Sequence, residues 1–185
     1  MPLGAARFGL LGGIADLGKL ELIETVVASG STTVDFTSIQ ESTYNVHFFT
    51  FNDINVTVDA DRLKLRFFES GVVESGSVYQ FATQQCDTGG FSETKSTSSD
   101  NLPTIKNTGT AGNEQSNGYT YIYNAGNSSK YTFNTYHSTA ISDSGTYNSW
   151  FGSGVMPQAS TVDGFRLFSS GNITGTISLY GIAES

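Results

Sequence analysis

The chain has 185 residues, of which 37% are hydrophobic and only 14% charged, with 21 glycines and a net charge of −8 from 9 basic and 17 acidic side chains. That length fits one domain of roughly 100–200 residues, and the low charge excludes a highly charged disordered chain and disfavours long surface helices built on Glu, Lys and Arg. The basic residues are few and scattered, so phosphate neutralisation has no source and no nucleic-acid partner is expected. One cysteine, Cys86, rules out an internal disulfide framework. No cofactor and no metal are expected.

Residues 1–18, MPLGAARFGLLGGIADLG, follow neither a period of two nor one of 3.6 and are read as an irregular N-terminal arm. Its apolar side chains Leu3, Phe8, Leu10, Leu11 and Ile14 need a cover, either their own domain or a neighbouring subunit, and are the expected assembly contacts. The apolar run is broken by Gly12, Gly13, Asp16, Gly18 and Lys19, too often for a bilayer span or a secretory signal, so no membrane partner is expected.

Residues 19–185 are read as a single β domain. Lys19 to Ala28 begins in alternation, Ser29-Gly30-Ser31 signals a turn, and Val34-Asp35-Phe36 resumes the strand. Tyr44 to Phe51 alternates until Phe48-Phe49, which predicts a bulge or burial on both faces. Leu63 to Phe68 is the clearest period of two, with Leu63, Leu65 and Phe67 inward. Residues 84–118 are nearly all polar and predict a long loop, or a pair of loops around one weak strand, uncommon in compact domains unless functional or mobile. Tyr119 to Tyr123 and Ser129 to Tyr136 flank Asn124 to Asn127 and predict a hairpin, whereas Trp150 falls in a glycine-rich connection. Val162 to Phe168, a turn at Ser169 to Asn172 and Ile173 to Ile182 predict a C-terminal hairpin. Eight or nine short strands with glycine-rich turns give an all-β fold, an antiparallel β-sandwich of jelly-roll type.

Catalytic signals are thin. His47 lies in a strand pattern and His137 at a strand end, with no nucleophile-elbow sequence near either, so no enzyme is expected. Asp53, Asp59 and Asp61 crowd one connection with Asn52 and Asn55; such oxygen-rich clusters can hold Ca²⁺, but the spacing is not that of an EF-hand, and turn-forming Asp and Asn explain it better. The tyrosines carry more weight: Tyr119, Tyr121 and Tyr123 share one strand face, and with Trp150 they are the candidate surface-binding residues for a glycan or protein.

Three stretches resemble a family of small β-rich virion structural proteins of tailed bacteriophages, of the kind found in marine and cyanobacterial phages. They are Leu20 to Thr25 ahead of Val34-Asp35-Phe36-Thr37; Tyr44, Val46, Phe48, Phe49, Phe51, Asn52 and Ile54 followed by Leu63 to Phe67; and the closing run from Ser169 to Ile182. The resemblance implies a virion part, a capsid decoration or appendage held by the N-terminal arm to other virion proteins, assembled in the host cytoplasm, non-enzymatic and homo-oligomeric, with a trimer as the expected form. The alternative it implies is a tail-fibre or baseplate module that recognises a host surface glycan. Fibre-associated members carry a long upstream shaft, which this sequence lacks.

Overall fold

A computed structural model describes residues 19–183 of the chain. The arm and its five apolar residues, Leu3, Phe8, Leu10, Leu11 and Ile14, lie outside the described residues. Among the described residues there is no helix; eleven strands run in order β1 (Leu20–Phe36), β2 (Val46–Val56), β3 (Asp61–Glu69), β4 (Val72–Val73), β5 (Tyr79–Asp87), β6 (Gly90–Ser99), β7 (Leu102–Thr108), β8 (Ser116–Tyr123), β9 (Thr132–Ile141), β10 (Tyr147–Met156) and β11 (Val162–Ile182). Every pairing is antiparallel.

The strands form one curled sheet with the order β4-β3-β11-β2-β8-β9-β10-β5-β6, with β1 on the other edge of β11 and β7 on β3. The all-β, antiparallel expectation therefore holds, while a jelly roll of two sheets is a finer statement than this single ladder makes. The organising element is β11, which changes partner part-way along. Its first part, to Phe168, pairs with β3, and its second part, from Ile173, pairs with β2, while β1 follows the opposite edge throughout. Asp61 holds the corner between the two parts: its carboxylate accepts from Ser169 Oγ at 2.5 Å and from the Ser170 amide at 2.6 Å. Just beyond, Gly175 sits at φ +127° in the bulge between Thr174 and Thr176, a backbone conformation closed to larger residues.

Where β3 folds over, β7 comes with it and packs across β9, closing the inner face of the sheet. The core beneath follows from alternation. Leu63, Leu65 and Phe67 on β3 are fully buried, as are Phe49 and Phe51 on β2 and Phe165 and Leu167 on β11. Phe165 is the hub, with ring centroids 5.5 Å from Phe49, 5.8 Å from Phe67 and 5.4 Å from His47. Each such side chain contributes roughly 1.5–3 kcal/mol on burial.

Several sequence expectations change. The region 84–118, read as a long loop, contains the whole of β6 and β7 and the start of β8. β6 lies at a sheet edge with most of its residues exposed, so neither face selects apolar residues and no alternation is written into it. The expected turn at Ser29-Gly30-Ser31 is a pair of register shifts inside a continuous β1, and the expected hairpin at Ser169 to Asn172 is the corner of a continuous β11. Both lines of small residues bend one strand instead of reversing the chain. Trp150 lies inside β10, not in a connection.

Candidate functional site

Strand alternation sends two sets of side chains to opposite faces of the sheet. On β8 the sequence Tyr119-Thr-Tyr-Ile-Tyr123 turns Thr120 and Ile122 inward, both fully buried, and the three tyrosines outward. On β2, Phe49 and Phe51 face the core while Phe48 faces out. The pairings carry this outer set across the sheet: Leu22, Tyr180, Phe48, Tyr121, Thr135 and Ser153 are successive partners on β1, β11, β2, β8, β9 and β10.

The rings touch. Phe48 has its centroid 4.6 Å from Tyr121, 5.9 Å from Tyr119 and 6.2 Å from Tyr180. Tyr121 in turn stacks with Tyr123 at 6.3 Å, with planes 19° apart. A hollow of about 430 Å³ opens beside them, bounded by the three tyrosines, Thr135, His137 and Phe151. Beyond Thr135 a wider groove of about 760 Å³ continues over Phe133, Ser153, Val155, Gln80 and Lys95. Lys95, the one cation lining that groove, is paired with Glu93 at 3.2 Å, so the groove is close to neutral. Flat apolar rings flanked by neutral hydroxyl and amide groups suit a ligand that offers both apolar faces and hydroxyls.

Of the sequence-predicted site residues, the structure brings together Tyr119, Tyr121 and Tyr123 and excludes Trp150. That side chain is 1% exposed and faces inward, with the Lys106 ammonium 3.8 Å from its ring centroid. Its parity on β10 is that of Asn148 and Met156, also buried, so a surface role for Trp150 is corrected to a packing one. Burial, followed by the charge of Arg62, pulls the Lys106 amine down to about 8. Sequence reasoning missed Phe48, Tyr180, Phe133 and Phe151. The signal lay in the opposed triplets Val46, Phe48, Thr50 and His47, Phe49, Phe51, which alternate without the bulge expected at Phe48-Phe49.

The remaining candidates do other work. His47 is fully buried and its Nε2–H donates to the Ile39 carbonyl at 2.8 Å; burial holds its pKa below the ordinary value, against the opposing effect of that bond. His137 Nε2 pairs with Ser149 Oγ at 2.8 Å, the spacing of a base and a nucleophile, but among the described residues no carboxylate bonds the other ring nitrogen to complete a triad. Asp53, Asp59 and Asp61 do not converge. Asp61 is spent on the β11 corner, and among the described residues no three His, Cys, Asp or Glu side chains form a metal-binding group.

No protein-family model matches the sequence, and no curated protein matches it. Among solved structures, the CBM2 module of the Lactobacillus casei BL23 phage J-1 evolved Dit aligns over 96% of this chain and 86% of its own, at 10% identity and a TM-score of 0.27. A similarity of that size carries no functional inference.

Proposed function

We propose that this chain is a non-catalytic binding domain of a bacteriophage particle and that the outer aromatic face is its working surface, engaging a neutral glycan of the host surface. The observation that carries the reading is the contiguous ring cluster Tyr180, Phe48, Tyr121, Tyr119 and Tyr123, open to a near-neutral groove. Sugar rings stack their C–H faces on such rings while hydroxyls reach groups such as Thr135, Ser153 and Gln80. The particle context is supported by the resemblance of the three strand signatures to phage virion proteins. With it come assembly in the host cytoplasm, incorporation as a homo-oligomer, a trimer, and a sandwich in which the layer of β3 and β7 is the second, smaller sheet. The test is binding of the full chain to host cells and to their extracted polysaccharide. Saturable binding that a neutral oligosaccharide competes away supports the reading, and absence of binding to both contradicts it.

One observation favours a capsid decoration held by the N-terminal arm. The strand that follows the arm in sequence starts with Leu20 and Leu22 exposed at 54% and 59%, apolar side chains for which a neighbouring subunit would be a cover. Copy number in purified virions separates the readings: hundreds of copies indicate decoration of the capsid, a handful a tail or vertex part. Deleting residues 1–18 from a folded chain abolishes particle incorporation if the arm is the anchor.

A further inference from the structure

At the end of the sheet away from the tyrosine rows, the β5–β6 turn and the β9–β10 turn enclose a polar hollow of about 400 Å³. Its lining residues include Asp87, Asp143, Ser142, Ser144, Gln85 and Asn148, and no lysine, arginine or histidine. The cluster alone would say little, since two acids on neighbouring turns are common. Asn148 is the second observation. It is 1% exposed, it lines the hollow, and neither its Oδ1 nor its Nδ2 has a hydrogen-bond partner. A buried amide left without partners loses its hydration for nothing in return, so its oxygen is to be accounted for by something that fills the space in front of it.

We propose that this hollow is a binding site for a hard divalent cation of the Ca²⁺ class. Asn148 Oδ1, Asp87, Asp143 and the Ser142 and Ser144 hydroxyls supply the oxygen donors. Calcium takes six to eight oxygens from carboxylates, amide carbonyls and water in flexible geometry, whereas Mg²⁺ demands a compact octahedron, and the soft metals want sulfur or imidazole, which the lining lacks. Asp143 is exposed, and among the described residues its side chain enters no ion pair or hydrogen bond, while the Ser142 and Ser144 hydroxyls beside it bond each other at 2.9 Å. Asp87 already accepts from Gln85 Nε2 at 2.6 Å and from the Gly89 amide at 2.7 Å, which orients both its oxygens and leaves a lone pair on each. Lys106, which is not among the lining residues, is engaged by the Trp150 ring and by Thr94 Oγ1 at 3.1 Å. A cation here would tie two turns of separate hairpins together. With two carboxylates the affinity belongs with extracellular modules, in the range of about 10⁻⁴–10⁻³ M. The acidic cluster at Asp53, Asp59 and Asp61 has no part in it.

Trp150, the single tryptophan, lies two residues along β10 from Asn148 on the same face, which makes it a local reporter. The experiment is titration of the full chain with Tb³⁺, reading terbium emission excited through tryptophan, followed by competition with Ca²⁺ and with Mg²⁺. The proposal expects sensitised emission that Ca²⁺ displaces at lower concentration than Mg²⁺. It expects Asp143→Asn, a change on an exposed side chain, to weaken Tb³⁺ binding about tenfold with an unchanged melting temperature in the absence of metal. Asp53→Asn, at the other cluster, leaves the titration as in wild type. Absence of sensitised emission, emission that Ca²⁺ does not displace, or an Asp143→Asn titration equal to wild type overturns it.

Discussion

The two halves of the inner face are built on different chemistry. Under β1, β2, β3 and β11 the interior is a cluster of phenylalanines, leucines and isoleucines around Phe165. Under β7, the inner positions of β8, β9 and β10 are mixed: Thr120, Asn134, Ser138 and Asn148 are buried beside Ile122, Tyr136, Trp150 and Met156. The Asn134 amide and the Trp150 Nε1–H there have no partner, whereas the buried Tyr79 hydroxyl at the apolar end donates to the Glu74 carbonyl and accepts from the Phe67 amide, both at 3.0 Å. The difference teaches a division of labour. The apolar half holds the dense cluster of buried rings, and the more polar half underlies β8, β9 and β10, whose outer sides carry Tyr119, Tyr121, Tyr123, Phe133 and Phe151.

The sharpest break is Phe165→Ala. It removes the ring that three others contact and leaves a cavity in a fully buried site, so a loss of about 3–5 kcal/mol in chemical denaturation is expected. Next is Asp61→Ala, which strips the β11 corner of its acceptor and is expected to cost about 1.5–3 kcal/mol. Burial pushes the Asp61 carboxyl up, but the bonds from Ser169 and Ser170, with the Arg62 amide and the Lys64 charge, outweigh it and hold the group below the ordinary aspartate value. Its contribution is therefore complete above that value and is lost as pH falls through the depressed one, and an acid titration of stability in wild type and Asp61→Asn displays the difference.

Asn134→Leu, in the polar half, tests the other side of the comparison. Replacing a partnerless buried amide by a side chain of similar volume is expected to change stability by less than about 1 kcal/mol or to raise it; a melting temperature that falls as far as for Phe165→Ala removes the distinction. The last effect is pH-dependent and comes from Lys106. Because folding lowers its pKa from 10.5 to about 8, the unfolded chain holds the extra proton between those values, and stability rises with pH over that window. Lys106→Met abolishes the rise, measured as melting temperature from pH 8 to pH 10, and a slope unchanged in the variant locates its cause elsewhere.

The apolar half was legible in the sequence and the polar half was not. Leu63, Leu65 and Phe67 alternate with Arg62, Lys64 and Arg66, so burial on one face is written into the letters, and the tyrosines of β8 announce their face in the same way. β6 is mostly Ser and Thr with Glu93 and Lys95 at an exposed edge, so no alternation is written into it, and in β10 Gly152, Ser153 and Gly154 interrupt the buried row of Asn148, Trp150 and Met156, so that it reads as a connection. The corner of β11 was hidden for a different reason: Ser169 to Asn172 is good turn chemistry, and only Asp61, more than a hundred positions away, converts it into a bend. The aromatic face was half visible, since Tyr119, Tyr121 and Tyr123 are local whereas Phe48 and Tyr180 join them only through the pairing of β2 with β8 and β11.

The most direct measurement of the central claim is equilibrium binding of the full chain to host surface polysaccharide, compared with Tyr121→Ala. The Tyr121 ring contacts Phe48, Tyr119 and Tyr123 on the solvent side of the sheet and lines the hollow. Its removal is expected to weaken binding about tenfold or more, the loss of roughly 1.4 kcal/mol or greater expected of a central aromatic anchor, while the melting temperature stays close to wild type. Wild-type affinity in a folded Tyr121→Ala chain would contradict the aromatic face as the binding surface.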